Sequence, residues 1–112
     1  MSGTCFIDRV EGVDDAFALT FDDGPSPTWT PRLLGVLKRF DARATFFPMA
    51  FNLRRHHELA RIALAAGHEY GVHGELHLPP PPLPWPLLRW EAERGVAAVQ
   101  ALTGAPPRWY RA

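Results

Sequence analysis

Ala18-Leu19-Thr20-Phe21-Asp22-Asp23-Gly24-Pro25 joins an apolar run to two carboxylates and a turn. Ala16 to Thr20 is apolar or β-branched, which predicts a short buried strand. The strand runs straight into Asp22 and Asp23, and the Gly-Pro pair then turns the chain. Side chains alternate along a strand, so the two carboxylates should leave its end in different directions. One is then placed to take a metal ion while the other accepts a proton. The same residues also suit an Asp-Asp-Gly turn that does no more than end a strand.

Working outward, Met1 to Asp15 is polar and weakly patterned, an N-terminal extension to a domain over 16–112. Pro25 to Trp29 reads as a loop. Thr30-Pro31 then signals a helix start, a hydroxyl cap followed by the residue whose missing N–H costs nothing there. Leu33, Leu34, Leu37 and Phe40 recur at helical spacing and predict one face on a core. Ala44 to Phe47 reads as a second buried strand ended by Pro48. A second helix is expected over His57 to Ala66, with Leu59, Ile62, Ala63 and Ala66 inward and Gly67 as its left-handed cap. His68 is expected to cap the turn after Gly67, and a third strand over His68 to Val72 delivers His73.

Leu78 to Pro86 is proline-dense and reads as a stiff connector. Leu87 to Leu102 is expected to be a third helix facing inward through Leu88, Val96, Val99 and Leu102, with Gly104 after it. Trp109 to Ala112 begins a fourth strand. Trp90 and Trp109 are expected in the core, and Trp85 half-buried. Strands alternating with helices predict a parallel α/β sheet or barrel, whose ligands gather at the C-terminal strand ends. Asp22, Asp23 and His73 all fall at such ends.

The chain has 112 residues, enough for one domain with a core. It is 46% hydrophobic and 21% charged, ordinary for a globular protein. Twelve basic residues balance twelve acidic ones, so no global field favours nucleic acid or an anionic membrane. Cys5 is the single cysteine and excludes an internal disulfide. The N-terminus lacks the apolar run of a signal peptide, and no segment is long and apolar enough to span a bilayer, so as written the chain is expected in the cytoplasm.

His73-Gly74-Glu75-Leu76-His77 sets two imidazoles four residues apart. On a helical turn or tight loop that spacing puts both rings within reach of one cation. Two histidines and a carboxylate with open positions suit zinc or another divalent transition metal. Spacing alone does not decide it, since His56-His57 occurs with no motif around it. Glu75, between the pair, is expected to point away into solvent.

Taken together, Leu19 to Pro25, Thr30-Pro31-Arg32-Leu33-Leu34, Ala44-Thr45-Phe46-Phe47 and Gly67 to His77 resemble the polysaccharide deacetylase family. This is the NodB homology domain, carbohydrate esterase family 4. The resemblance covers about 16–112, with several motifs in the family's order and spacing. It implies a partial (β/α)7 barrel, about the first half of the family's domain. It implies Asp22 as general base and Asp23, His73 and His77 as metal ligands. Arg111-Ala112 resembles the opening of an Arg-x-Pro-Tyr motif whose arginine pairs with the base. The implied cofactor is a divalent metal, zinc with cobalt or nickel as alternatives. The implied activity is removal of N-acetyl or O-acetyl groups from acetylated oligo- or polysaccharide such as chitooligosaccharide or peptidoglycan.

The chain also departs from the family's pattern. The later motifs, with the backbone donor and the acid histidine, do not occur in it, and Gly74 stands where the family has a small hydroxyl residue. Without that hydroxyl, a hydrogen bond holding the loop of His77 is expected to be lost. A half barrel leaves edges and apolar faces uncovered, so self-association or a complementing chain is expected. The alternative reading is a non-catalytic remnant that binds metal or sugar or complements another chain. Family members are often exported, which sets the resemblance against the absence of a leader.

Overall fold

The structure, a computed structural model, describes residue 7 and residues 9–76 and 84–112. His77 and the proline run Pro79 to Pro82 lie outside the described residues. Three parallel strands form the sheet: β1 (Leu19–Asp22), β2 (Ala44–Phe47) and β3 (Glu69–Tyr70), in the order β1-β2-β3. The helices between and after them are α1 (Trp29–Arg39), α2 (Ala50–Arg55), α3 (His57–Ala65) and α4 (Trp85–Thr103). Parallel neighbours need crossover helices, and α1 and the α2–α3 pair supply them.

β1 begins three residues later than expected and ends on Asp22. Its partner sets these limits: β2 offers four residues, paired Leu19↔Ala44 through Asp22↔Phe47. Phe17 stays 85% exposed ahead of the paired stretch. Beyond β3, Val72 makes an isolated parallel bridge to Tyr110, with Val72 N–H donating to the Trp109 carbonyl and Arg111 N–H to the Val72 carbonyl. The expected fourth strand is this single bridge.

The core lies between sheet and helices. Leu37, Ala44, Phe46, Leu53, Ala60, Ala63, Tyr70, Val72 and Val99 are buried together. Phe46 is its aromatic centre, stacked on Phe21 at 5.6 Å between ring centroids and edge-on to His68 at the same distance. His68 does not cap the turn. It is buried, and its Nδ1 accepts the Ala44 N–H at 3.1 Å, tying β2 to the start of β3.

Four helix expectations are corrected. α1 starts before Thr30 because the Ser26 hydroxyl accepts the Thr28 and Trp29 N–H groups one turn earlier. Pro31 then sits within the first turn, where its nitrogen has no intrahelical partner to lose. Phe40 and Ile62 are exposed rather than inward. α2, hidden in sequence by its short length and mixed composition, precedes α3. α4 is rotated from the expected face: Glu91, Gly95 and Val99 are buried, while Leu88, Trp90 and Val96 are exposed. Gly95 explains the rotation, because a Cβ there would lie 2.7 Å from Val72 Cγ1 and 3.2 Å from the Gly74 backbone. Only the side without a side chain can approach so closely. Trp109 is likewise exposed rather than in the core, and Trp85 exposed rather than half-buried.

Candidate functional site

Asp22 ends β1, and the ladder carries one bond further, from Asp23 N–H to the Phe47 carbonyl at 2.9 Å. Asp23 and Gly24 then adopt left-handed conformations, φ 65° and 70°. Aspartate tolerates that region better than most side chains, and glycine freely. The chain turns at once, so the two carboxylates part company. Asp22 Oδ1 accepts from Arg111 Nη1 at 2.6 Å. Asp23 Oδ1 lies 3.6 Å from His73 Nε2.

Arg111 reaches Asp22 across a ring. Its guanidinium lies over Phe47, 4.4 Å from the ring centroid, a cation–π contact that limits where it can swing. Its backbone acts as well. The Arg111 carbonyl accepts from His73 Nδ1 at 2.8 Å. A carbonyl can only accept, so Nδ1 carries a proton, and in the neutral ring Nε2 presents its lone pair on the side of Asp23. The His73 side chain is 3% exposed and the Asp23 side chain 55%, so the pair has one buried and one open member.

That donor set fits a divalent cation. Zinc takes imidazole nitrogen and carboxylate oxygen at about 2.0–2.2 Å, which sets two ligands of one tetrahedral ion roughly 3.4 Å apart. The observed 3.6 Å separation is close to that value. Among the described residues no cluster of three such ligands occurs. His77, the remaining expected ligand, lies outside them. A cavity of about 430 Å³ opens beside the carboxylates, lined by Asp22, Asp23, Gly24, Trp29, Arg32 and Tyr70 among others.

The segment leaving His73 is held from two sides. The α2 amides of Ala50 and Phe51 donate to the Gly74 and Glu75 carbonyls at 2.9 and 3.1 Å. The Glu91 carboxylate of α4 accepts the Glu75 and Leu76 N–H groups, each at 2.8 Å. Glu75, expected in solvent, is instead buried, with Oε1 accepting from Arg54 of α2 and from Arg94 of α4. Such donors replace part of the hydration a buried carboxylate loses, and here all of them fall on Oε1, while Oε2 is buried with no hydrogen-bond partner among the described residues. Sequence reading missed Glu91 and Arg54 and misplaced Glu75. The available signal was the four-residue spacing of Glu91, Gly95 and Val99, a carboxylate in line with two small or apolar positions.

The sequence profile described as polysaccharide deacetylase matches residues 9–112. A peptidoglycan-N-acetylglucosamine deacetylase of Bacillus cereus is 48% identical over 70 residues, which are 62% of this chain and 33% of the relative. A chitooligosaccharide deacetylase of Sinorhizobium fredii is 42% identical over 59 residues, 53% of this chain and 27% of that protein. The solved structure of the peptidoglycan deacetylase PdaC from Bacillus subtilis superposes with a TM-score of 0.78 at 30% identity, covering 84% of this chain and 46% of that one. The chain thus spans about a third of the length of these curated relatives and about half of the solved neighbour.

Proposed function

The chain belongs to the polysaccharide deacetylase family, and from that premise we propose that it serves a metal-dependent deacetylase removing N-acetyl or O-acetyl groups from acetylated carbohydrate. Chitooligosaccharide and peptidoglycan are the substrate classes, since the relatives above are named for them. Its parallel α/β sheet corresponds to about the first half of the family's barrel. One observation carries the proposal: Asp23 and His73 meet at 3.6 Å beside an Asp22–Arg111 pair at 2.6 Å.

Asp23 Oδ1, His73 Nε2 and His77 would hold the metal, zinc or alternatively cobalt or nickel. When bound, a divalent ion polarises an acetyl carbonyl and makes a neighbouring water acidic. The chain's own groups would set the base and the imidazole, and the proton for the leaving group comes from outside the described residues. Arg111 occupies Asp22 Oδ1, which leaves Oδ2 to take the proton of the attacking water. The bond to Arg111 also fixes the rotation of that carboxylate, so Oδ2 keeps one direction. The Arg111 carbonyl holds the His73 tautomer that offers Nε2 rather than N–H. The adjoining cavity, with Trp29 at its wall, gives an acetylated sugar an aromatic face to lie against.

The test is metal stoichiometry together with acetate release from acetylated chitooligosaccharide. One metal per chain and acetate that disappears in Asp22→Asn support the proposal. Metal without acetate at high protein concentration supports the alternative, a chain that binds metal or sugar, or complements another chain, without turnover. No metal overturns it.

A further inference from the structure

His73 is placed by Arg111, and the hold of Glu91 on the chain after it depends on the residue at position 74. Gly74 has φ 88°, and an added Cβ would lie 2.2 Å from Glu91 Oε2. The space a side chain would fill is therefore occupied by a carboxylate from another helix. That carboxylate is buried, and both its oxygens are used: Oε2 accepts the Glu75 N–H and Oε1 the Leu76 N–H. Two backbone donors on one carboxylate fix both the position and the rotation of the segment. The opposite side of the segment is satisfied by the first amides of α2. Backbone groups that would otherwise face solvent or compete for other partners thus have fixed ones.

We infer that Glu91 is a positioning residue for the segment running on from His73 through Leu76: its carboxylate fixes that backbone from α4, and Gly74 is required to admit it. The inference rests on the proposed function only in taking that segment to start from a metal-binding histidine. Glu75 completes the device, since Arg54 and Arg94 hold its side chain while Glu91 holds its backbone. α2 and α4 are thereby tied through the segment itself.

The experiment separates the clamp from the metal. In the full metal-free chain, amide exchange of Glu75 and Leu76 is followed by NMR in wild type, Glu91→Gln, Gly74→Ala and Glu93→Gln. Glu93 is exposed and paired with Arg89 on the same helix, so its variant controls for lost charge. Glutamine keeps one acceptor oxygen, and an alanine at 74 displaces the carboxylate without touching its charge while also straining a backbone held at φ 88°. Exchange at both amides should rise by about tenfold or more in Glu91→Gln and Gly74→Ala and stay unchanged in Glu93→Gln. Co2+ titration of the same proteins should show affinity about 10- to 100-fold weaker in the two clamp variants, the range typical of groups that orient metal ligands.

Unchanged exchange at both amides in either folded clamp variant overturns the inference. So does faster exchange with unchanged Co2+ affinity. If Glu91→Gln does not fold, Glu91→Asp takes its place, keeping the charge while withdrawing the carboxylate from the two amides. If wild type binds no Co2+, the deacetylase proposal fails, and the exchange data still decide the clamp.

Discussion

Gly95→Ala puts the close approach of α4 to the site to a quantitative test. In most helices this change stabilises, because glycine costs about 1 kcal/mol relative to alanine in a helix interior. Here the added Cβ would sit 2.7 Å from Val72 Cγ1 and 3.2 Å from both Cα and N of Gly74. Neither neighbour can give way easily. Val72 is 1% exposed, and the Gly74 carbonyl is bonded to the Ala50 amide. Overpacking of a closed site costs roughly 1–3 kcal/mol, and rigid backbone places this one toward the upper end. The net is a loss of about 1–2 kcal/mol, or a Tm lower by roughly 4–8 °C at about 4 °C per kcal/mol. Gly35→Ala in α1 is the matched control, since nothing lies within 4 Å of its added Cβ. It should stabilise by up to about 1 kcal/mol. Urea titration of both variants, with the m-value held to the wild-type slope, gives the two signs directly. A Gly95→Ala chain as stable as wild type would refute the packing described between α4 and the 72–74 segment.

Further expectations concern the site itself. A double-mutant cycle of Asp22→Asn and Arg111→Gln should give a coupling of only about 0.5–1 kcal/mol in urea titration, because both side chains are some 40% exposed, 41% and 37%. That coupling should shrink in 1 M salt, and a value of zero at low salt would mean the contact is not made in solution. Asp23→Asn should weaken Co2+ binding by more than about 100-fold, beyond the 10- to 100-fold typical of groups that only orient ligands; isothermal titration reads it, and an unchanged affinity would remove Asp23 from the ligand set. Burial, and secondarily the charge of Arg43, hold the His68 imidazole below its usual pKa of 6.5. The unfolded chain therefore binds this proton first, so the contribution is present above pH 6.5 and is lost as pH falls from there through the lower folded-state value. Urea midpoints between pH 7.5 and 5.5 should fall with a slope of up to about 1.4 kcal/mol per unit from this group, and His68→Gln should remove that part of the slope.

Much of the order of strands and helices could be read from the chain, because β1 and β2 are apolar runs closed by breakers. Asp-Asp-Gly-Pro ends one and Pro48 another, while Gly67 and Gly104 mark helix ends with φ 96° and 77°. What could not be read follows from burial that violates the simple pattern. Glu75 and Glu91 are carboxylates, so a hydrophobicity pattern sends them outward, and only their distant partners bring them in. Gly95 carries no apolar signal, yet it decides which face of α4 is inside. Trp90 and Trp109 carry the strongest apolar signal and are both 39% exposed. For Glu75, Glu91 and Gly95 the deciding contact is far away in sequence, such as the 16 positions between Glu75 and Glu91.

Arg111 serves two neighbours through two chemically separate parts, its guanidinium toward Asp22 and its main-chain oxygen toward His73. The first is written in the genetic code and the second is common to all residue types. A codon change at position 111 can therefore silence the arm that touches Asp22 while the imidazole keeps its orientation. Under the proposed function, a change at this one position would take the arginine from the base while leaving the orientation of the candidate metal-ligating imidazole intact.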